Sequence, residues 1–151
     1  MPDPLFETRT PRLDLPLLFA GQAQKELFVN EVASRLDALL FLAVESELPT
    51  PPASPGEGQS WLVAAAPTGD WSGHAGEIAS RQSGNWLFTA PVAGMRLLNR
   101  STGQEIRYVT QWNVPAKPTA PSGGTTVDAE ARSAINAVIS VLVLAGIVPS
   151  A

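Results

Sequence analysis

The stretch that decides the fold is Ala20-Gly21-Gln22-Ala23-Gln24-Lys25-Glu26-Leu27-Phe28-Val29-Asn30-Glu31-Val32-Ala33-Ser34-Arg35-Leu36-Asp37-Ala38-Leu39-Leu40. It reads as a helix running to about Ser46, within a helical segment bounded at 20–48. Val29, Val32, Leu36, Leu39 and Ala43 follow one another at three- and four-residue steps, which places them on one helical face. Gln24, Glu31, Arg35 and Asp37 occupy much of the remainder. Leu40, Phe41 and Val44 add apolar surface off that stripe. A helix this apolar in its C-terminal half needs cover from more than one side, from its own domain and from a partner chain.

Outward from the helix, prolines divide the chain. There are 14, and they cluster at Pro49, Pro51, Pro52 and Pro55 and again at Pro115, Pro118 and Pro121. Proline lacks a backbone donor and is rejected from helix interiors, so these clusters mark connectors. Residues 1–19 hold Pro2, Pro4, Pro11 and Pro16 together with Leu13, Leu15, Leu17, Leu18 and Phe19. That combination predicts an extended arm laid across a surface of the same subunit or of a neighbour.

Residues 59–114 read as short strands forming a small antiparallel meander or barrel. Ser60–Ala65 is rich in strand formers, Glu77–Gln82 alternates, and Ser83-Gly84-Asn85 turns into Trp86–Thr89. Met95–Asn99 and Gln104–Val109 form a further hairpin, and Trp112 closes the set. A few short strands alone are marginal, so the first helix is expected to pack on one face or plug one end. The fold class is α+β. A linker at 115–126 precedes a C-terminal helix within 127–146. Asp128 and Glu130 suit that helix's first turn, Gly146 supplies its stop, and Pro149 prevents resumption. Ala131, Ile135, Val138, Leu142 and Ala145 form a heptad-type seam. Alone in water such a helix is marginal. Copies of itself from other subunits, or the chain's own middle domain, would cover it.

Composition narrows function. A length of 151 residues allows one modest domain or two small pieces, and a net charge of −4 disfavours a nucleic-acid groove. No apolar run reaches the length of a membrane span, and Met1-Pro2-Asp3-Pro4 is not the start of a signal peptide. The absence of cysteine removes disulfides and fits folding in a reducing cytoplasm.

His74 is the single histidine. With Asp70 and Glu77 it resembles a metal or acid–base cluster, but a loop histidine that fixes a turn by hydrogen bonds is the favoured reading. No phosphate loop, nucleophile elbow or carboxylate pair stands out, so no catalytic residue, metal ligand or cofactor is assigned and the chain is not read as an enzyme. Trp61, Trp86 and Trp112 sit in strand-like runs and are read as core. Trp71 lies in a turn-rich loop and is expected to be more exposed. An alternative reading makes Trp71, His74 and Trp86 a glycan-binding set, with rings stacked on sugar faces. The oligomer-interface residues are expected to be Val29, Val32, Leu36 and Leu39 on the first helix, and Ile135, Val138 and Leu142 on the last.

A longer signature runs through Gly21-Gln22-Ala23-Gln24-Lys25-Glu26, Asn30-Glu31, Leu36-Asp37-Ala38-Leu39, Pro52–Gly58, Trp61–Ala64, Gly69–Ala79 and Gly84–Pro91. It resembles domain-of-unknown-function family 2793 over about Leu13 to Trp112. The resemblance implies a virion structural protein similar to tail-fibre and head-spike components of prophages and gene transfer agents. It also implies a homotrimer attached to baseplate, tail-hub or head-spike proteins of a phage-like particle made in the bacterial cytoplasm. Host attachment would then involve a surface polysaccharide, with neither nucleic acid nor membrane insertion. Asp128-Ala129-Glu130-Ala131-Arg132 also looks like the start of the C-terminal helix of such proteins.

Overall fold

The computed structural model describes residues 9–18, 21 and 25–150. The remainder of the predicted arm and the Gln22–Gln24 part of the signature lie outside the described residues. Two compact units divide after Pro91. The first carries α1 (Lys25–Leu39), β1 (Ala43–Val44), β2 (Glu47–Leu48), β3 (Ser60–Val63), a single 3-10 turn (Gly69–Trp71), β4 (Ile78–Gln82) and β5 (Asn85–Thr89). The second carries β6 (Arg96–Asn99), β7 (Gln104–Tyr108), β8 (Trp112–Asn113) and α2 (Ala129–Leu144). The fold is α+β, and its strands lie in two sheets with no closed barrel. The single β domain expected at 59–114 is thus shared between two units.

The first helix is shorter than its hydrophobic stripe predicts. It ends at Leu39, and Ala43 and Val44 belong to β1. Two interactions stop it. Phe41 adopts a left-handed backbone with φ of 52°, which costs a bulky residue about 1–2 kcal/mol. The Arg12 guanidinium then donates to Phe41 O beyond the helix at 3.0 Å and to two of the helix's final carbonyls, at 2.6 Å to Asp37 O and 2.8 Å to Ala38 O. These are carbonyls that a helix end leaves without partners, and a cation there also complements the helix dipole. Beyond the stop, Leu42 and Val44 are buried two positions apart, which is the period of a strand.

Residues 9–18 of the arm lie on their own subunit. Asp37, fully buried on α1, gathers them. One carboxylate oxygen accepts from Thr10 Oγ1 at 2.7 Å and the Leu13 N–H at 2.5 Å, the other from the Arg12 N–H at 3.1 Å and Gln82 Nε2 at 3.2 Å. The Thr10 N–H donates to Leu15 O, and the Leu15 N–H donates back to Thr10 Oγ1, closing the arm into a tight loop. One turn further along the arm, the Asn30 amide clamps both the N–H and the carbonyl of Leu18, at 2.7 and 2.8 Å. Burial pushes the Asp37 carboxyl up, but its hydrogen bonds from Thr10, Leu13, Gln82 and Arg12 more than offset that and hold its pKa below the ordinary 3.8.

The sheet of the first unit has the order β2-β3-β4-β5. It is mixed, not a pure antiparallel meander: β2 runs parallel to β3, and the other pairs are antiparallel. β3 and β4 are the central strands, and every residue in them except Arg81 is buried. Ser83-Gly84 joins β4 to β5 with positive φ at both residues, 50° and 75°, as a type I′ turn requires. Trp61, Val63 and Ala79 share one face. On the other, Ser60 and Ser80 are hydrogen-bonded at 2.8 Å, and Gln82 reaches Asp37.

In the second unit β6, β7 and β8 are successive antiparallel neighbours. Gln104 is buried on β7, and its Nε2 ties down two distant carbonyls, Pro115 O at 2.8 Å and Ile147 O at 3.0 Å. α2 begins where the sequence indicates. Asp128 caps it, accepting from the Ala131 N–H at 2.8 Å. It ends in a Schellman motif, with Ile147 N–H to Leu142 O and Gly146 N–H to Val143 O, both 2.9 Å. Gly146 takes φ of 68° there, a left-handed turn that glycine adopts without penalty.

Asp37→Asn leaves the buried donors around position 37 poorly matched and is expected to lower stability by about 3 kcal/mol, read by urea unfolding. The folded pKa of Asp37 lies below its unfolded value. Its contribution is therefore complete above the ordinary carboxylate value and is lost as pH falls through the folded one. Wild-type protein should lose more stability than the Asn variant as pH falls below the ordinary carboxylate value.

Candidate functional site

Two features of the first unit and one of the second bear on function. The first is the aromatic cluster that the sequence offers as a glycan site. β3 and β5 present Trp61, Trp86 and Phe88 on the face that carries Ala79. The turn after Thr68, with Gly69 at φ of 61°, delivers Trp71 onto that face. Trp71 packs against Trp86 at 5.2 Å with the planes at 81°, and against Trp61 at 6.3 Å and 42°. It is 0% exposed. The expectation of an exposed Trp71 is therefore corrected: its loop is turn-rich, but the turn points inward, because a small sheet buries its largest rings first. Its Nε1–H has no hydrogen-bond partner among the described residues. Trp86 is half-buried, with the Arg81 guanidinium 5.2 Å from its ring centre. Trp61 is core, as expected, and Trp112 is partly buried, edge-on to Tyr108 at 5.3 Å.

His74 is partly buried and stacks flat on Phe88, with ring centres 3.6 Å apart and planes at 3°. Its Nδ1 lies 2.9 Å from Glu77 Oε2. The backbone repeats the link, since His74 N–H donates to Trp71 O and Glu77 N–H donates to His74 O. These contacts match the histidine that fixes a turn. Asp70 does not join them, and among the described residues no group of three His, Asp or Glu side chains is placed to hold a metal ion.

The other feature of the first unit is the outer surface of α1. Val29, Val32 and Leu36 are exposed and Leu39 is half-buried. Phe28, at 75% exposed, and Phe41, at 85%, extend this surface. Phe28 is the residue that the reading of one stripe misses, because it sits one position before Val29 and off the counted steps.

In the second unit α2 has no buried residue at all. Ile135 and Val138 are exposed and Leu142 is half-buried. Val141 and Leu144, the latter at 89%, are exposed beside the seam. Pro118 and Thr119 of the segment before α2 combine with Ala134, Ile135, Val138 and Leu142 to line an apolar groove of about 350 Å³. The Arg132 guanidinium anchors that segment by donating to Gly123 O. Of the expected seam residues, Val29, Val32, Leu36, Ile135 and Val138 are exposed, while Leu39 and Leu142 are partly covered within their own unit.

The family model described as "Protein of unknown function (DUF2793)" matches residues 29–114. The chain belongs to the DUF2793 family. No curated protein matches it.

Trp71→Ala should cost about 3–5 kcal/mol, the range for deleting a fully buried large ring, whereas Trp86→Ala should cost less than half of that. Paired urea unfolding curves followed by far-ultraviolet circular dichroism check the order.

Proposed function

We propose that the chain is a structural subunit of a phage-like particle, such as a gene transfer agent, that self-associates as a homotrimer in a tail fibre or head spike. The observation that carries this reading is the pair of helical faces left apolar and exposed, Val29-Val32-Leu36 on α1 and Ile135-Val138-Val141 with half-buried Leu142 on α2. Fully burying a branched side chain contributes about 1.5–3 kcal/mol, and these side chains, about half exposed in the chain itself, would each gain part of that on sister copies. Contiguous exposed apolar surface of this kind marks an interaction face, and three copies around one axis seal both seams with a single symmetry operator. The spacing of the α2 seam is that of a coiled coil. Resemblance of the signature residues to tail-fibre and head-spike proteins supports the particle context, with baseplate, tail-hub or spike proteins as attachment partners and a host polysaccharide as the surface contacted.

The alternative, a carbohydrate-binding module using exposed tryptophans, retains Trp86 and His74 but no longer Trp71, whose ring has no free face.

Size-exclusion chromatography with light scattering should give a mass three times that of the chain, and a dilute folded monomer overturns the assembly reading. Val138→Asp places a charge in the α2 seam and should shift that mass to the monomer while the far-ultraviolet spectrum stays that of a folded α+β chain. Immunogold labelling of purified particles should mark a fibre or spike. Label absent from every particle sinks the virion assignment.

A further inference from the structure

β6 and β7 set two like charges against each other. Arg96 pairs directly with Arg107 across the strands, so both side chains stand on one face, close together. Both are exposed. Among the described residues neither guanidinium has a carboxylate within ion-pair distance, and Glu105, two positions from Arg107 on that face, forms no ion pair either. Asn113 of β8 pairs with Arg107 and extends the row. Like charges directly opposite one another destabilise a sheet, and among the described residues no ion pair neutralises either one.

The same side chains border a cleft. Arg96, Glu105, Arg107 and Asn113 line one side of a space of about 260 Å³, and the turn that ends α2, through Gly146 and Ile147, lines the other. The turn is held in place by Glu105 N–H donating to Gly146 O at 2.7 Å and by Gln104 Nε2 donating to Ile147 O. The cleft therefore has two chemistries. Its guanidinium pair offers a fork of donors to an anion. The Glu105 carboxylate offers acceptors instead. A bare anion such as phosphate uses the first and is repelled by the second. A ring that carries one carboxylate and several hydroxyls uses both, and the volume suits a single sugar residue or two.

We propose that this cleft is a binding site for a carboxylated saccharide, with the carboxylate held between Arg96 and Arg107 and hydroxyls directed to Glu105 and Asn113. It lies in the other unit from the Trp71, His74 and Trp86 set and does not depend on self-association, so a monomer with an intact second unit would still bind.

The test is isothermal titration of the full chain with digalacturonate, with N-acetylneuraminate and with inorganic phosphate, in low and in moderate salt. At least one of the two sugar acids should bind, its affinity should fall as salt rises, and its methyl ester should bind at least about tenfold more weakly. Arg96→Gln and Arg107→Gln should each weaken binding by about tenfold or more, with thermal unfolding unchanged or slightly raised, because each variant relieves the opposed like charges. Both positions are exposed, so the variants fold. Failure of both sugar acids overturns the proposal, as does a methyl ester that binds equally well. Phosphate binding that is lost in the arginine variants while neither sugar acid binds would mark a simple anion site and also overturns it. Because light scattering reads the assembly separately, the two readings fail independently.

Discussion

One carboxylate organises the first unit. Asp37 is a charge taken wholly out of water, which is unfavourable unless every lone pair is answered. Four donors answer it, two of them backbone N–H groups of the arm, one a threonine hydroxyl and one a glutamine from the far strand of the hairpin. Its own backbone carbonyl is in turn capped by Arg12. The arm, the end of α1 and β4 therefore share a single set of hydrogen bonds. A network of this type is favourable only when complete, so it fixes residues 10–13 of the arm and the endpoint of α1 together.

That arrangement explains the division of labour along α1. The side that bears Asp37 and Ala38 is buried and polar in its logic, because hydrogen bonds fix it. The side that bears Phe28, Val29, Val32 and Leu36 is apolar and uncovered. The described part of the arm, residues 9–18, makes its hydrogen bonds on the first side. The large rings are likewise spent elsewhere: Trp61 and Trp71 fill the face of a four-stranded sheet that has little aliphatic bulk of its own. The second unit repeats the pattern in simpler form. Its hairpin holds the turn after α2 through Gln104 and Glu105, while no side chain of α2 itself is buried. In each unit the polar contacts set position, and the hydrophobic area of the helical face is left exposed.

Local signals carried much of this. Asp128, Glu130 and Gly146 mark the ends of α2 because caps and left-handed stops depend on residues within one turn. The Ser83-Gly84 turn and the β6–β7 hairpin follow from strand periods flanking turn residues, and the seam residues of both helices follow from three- and four-residue spacing. Three things were not legible. Leu40, Phe41 and Val44 continue an apolar run, yet α1 stops at Leu39, because the stop is supplied by Arg12 from 25 residues or more earlier in the chain. Trp71 sits among glycine and polar residues that read as surface, and only the direction of one turn buries it. Arg96 and Arg107 are unremarkable until strand register sets them opposite each other.

The sequence by itself determined where elements begin, turn and stop, and which side chains fall on a common helical face, since these depend on backbone preferences and spacing over a few residues. Only the tertiary structure decided which of the faces would be covered and which residues far apart in the chain would meet. Burial and hydrogen-bond partnership belong to the folded arrangement as a whole: Asp37 reads as one more solvated carboxylate in the chain, and becomes the centre of the first unit when Thr10, Arg12, Leu13 and Gln82 converge on it.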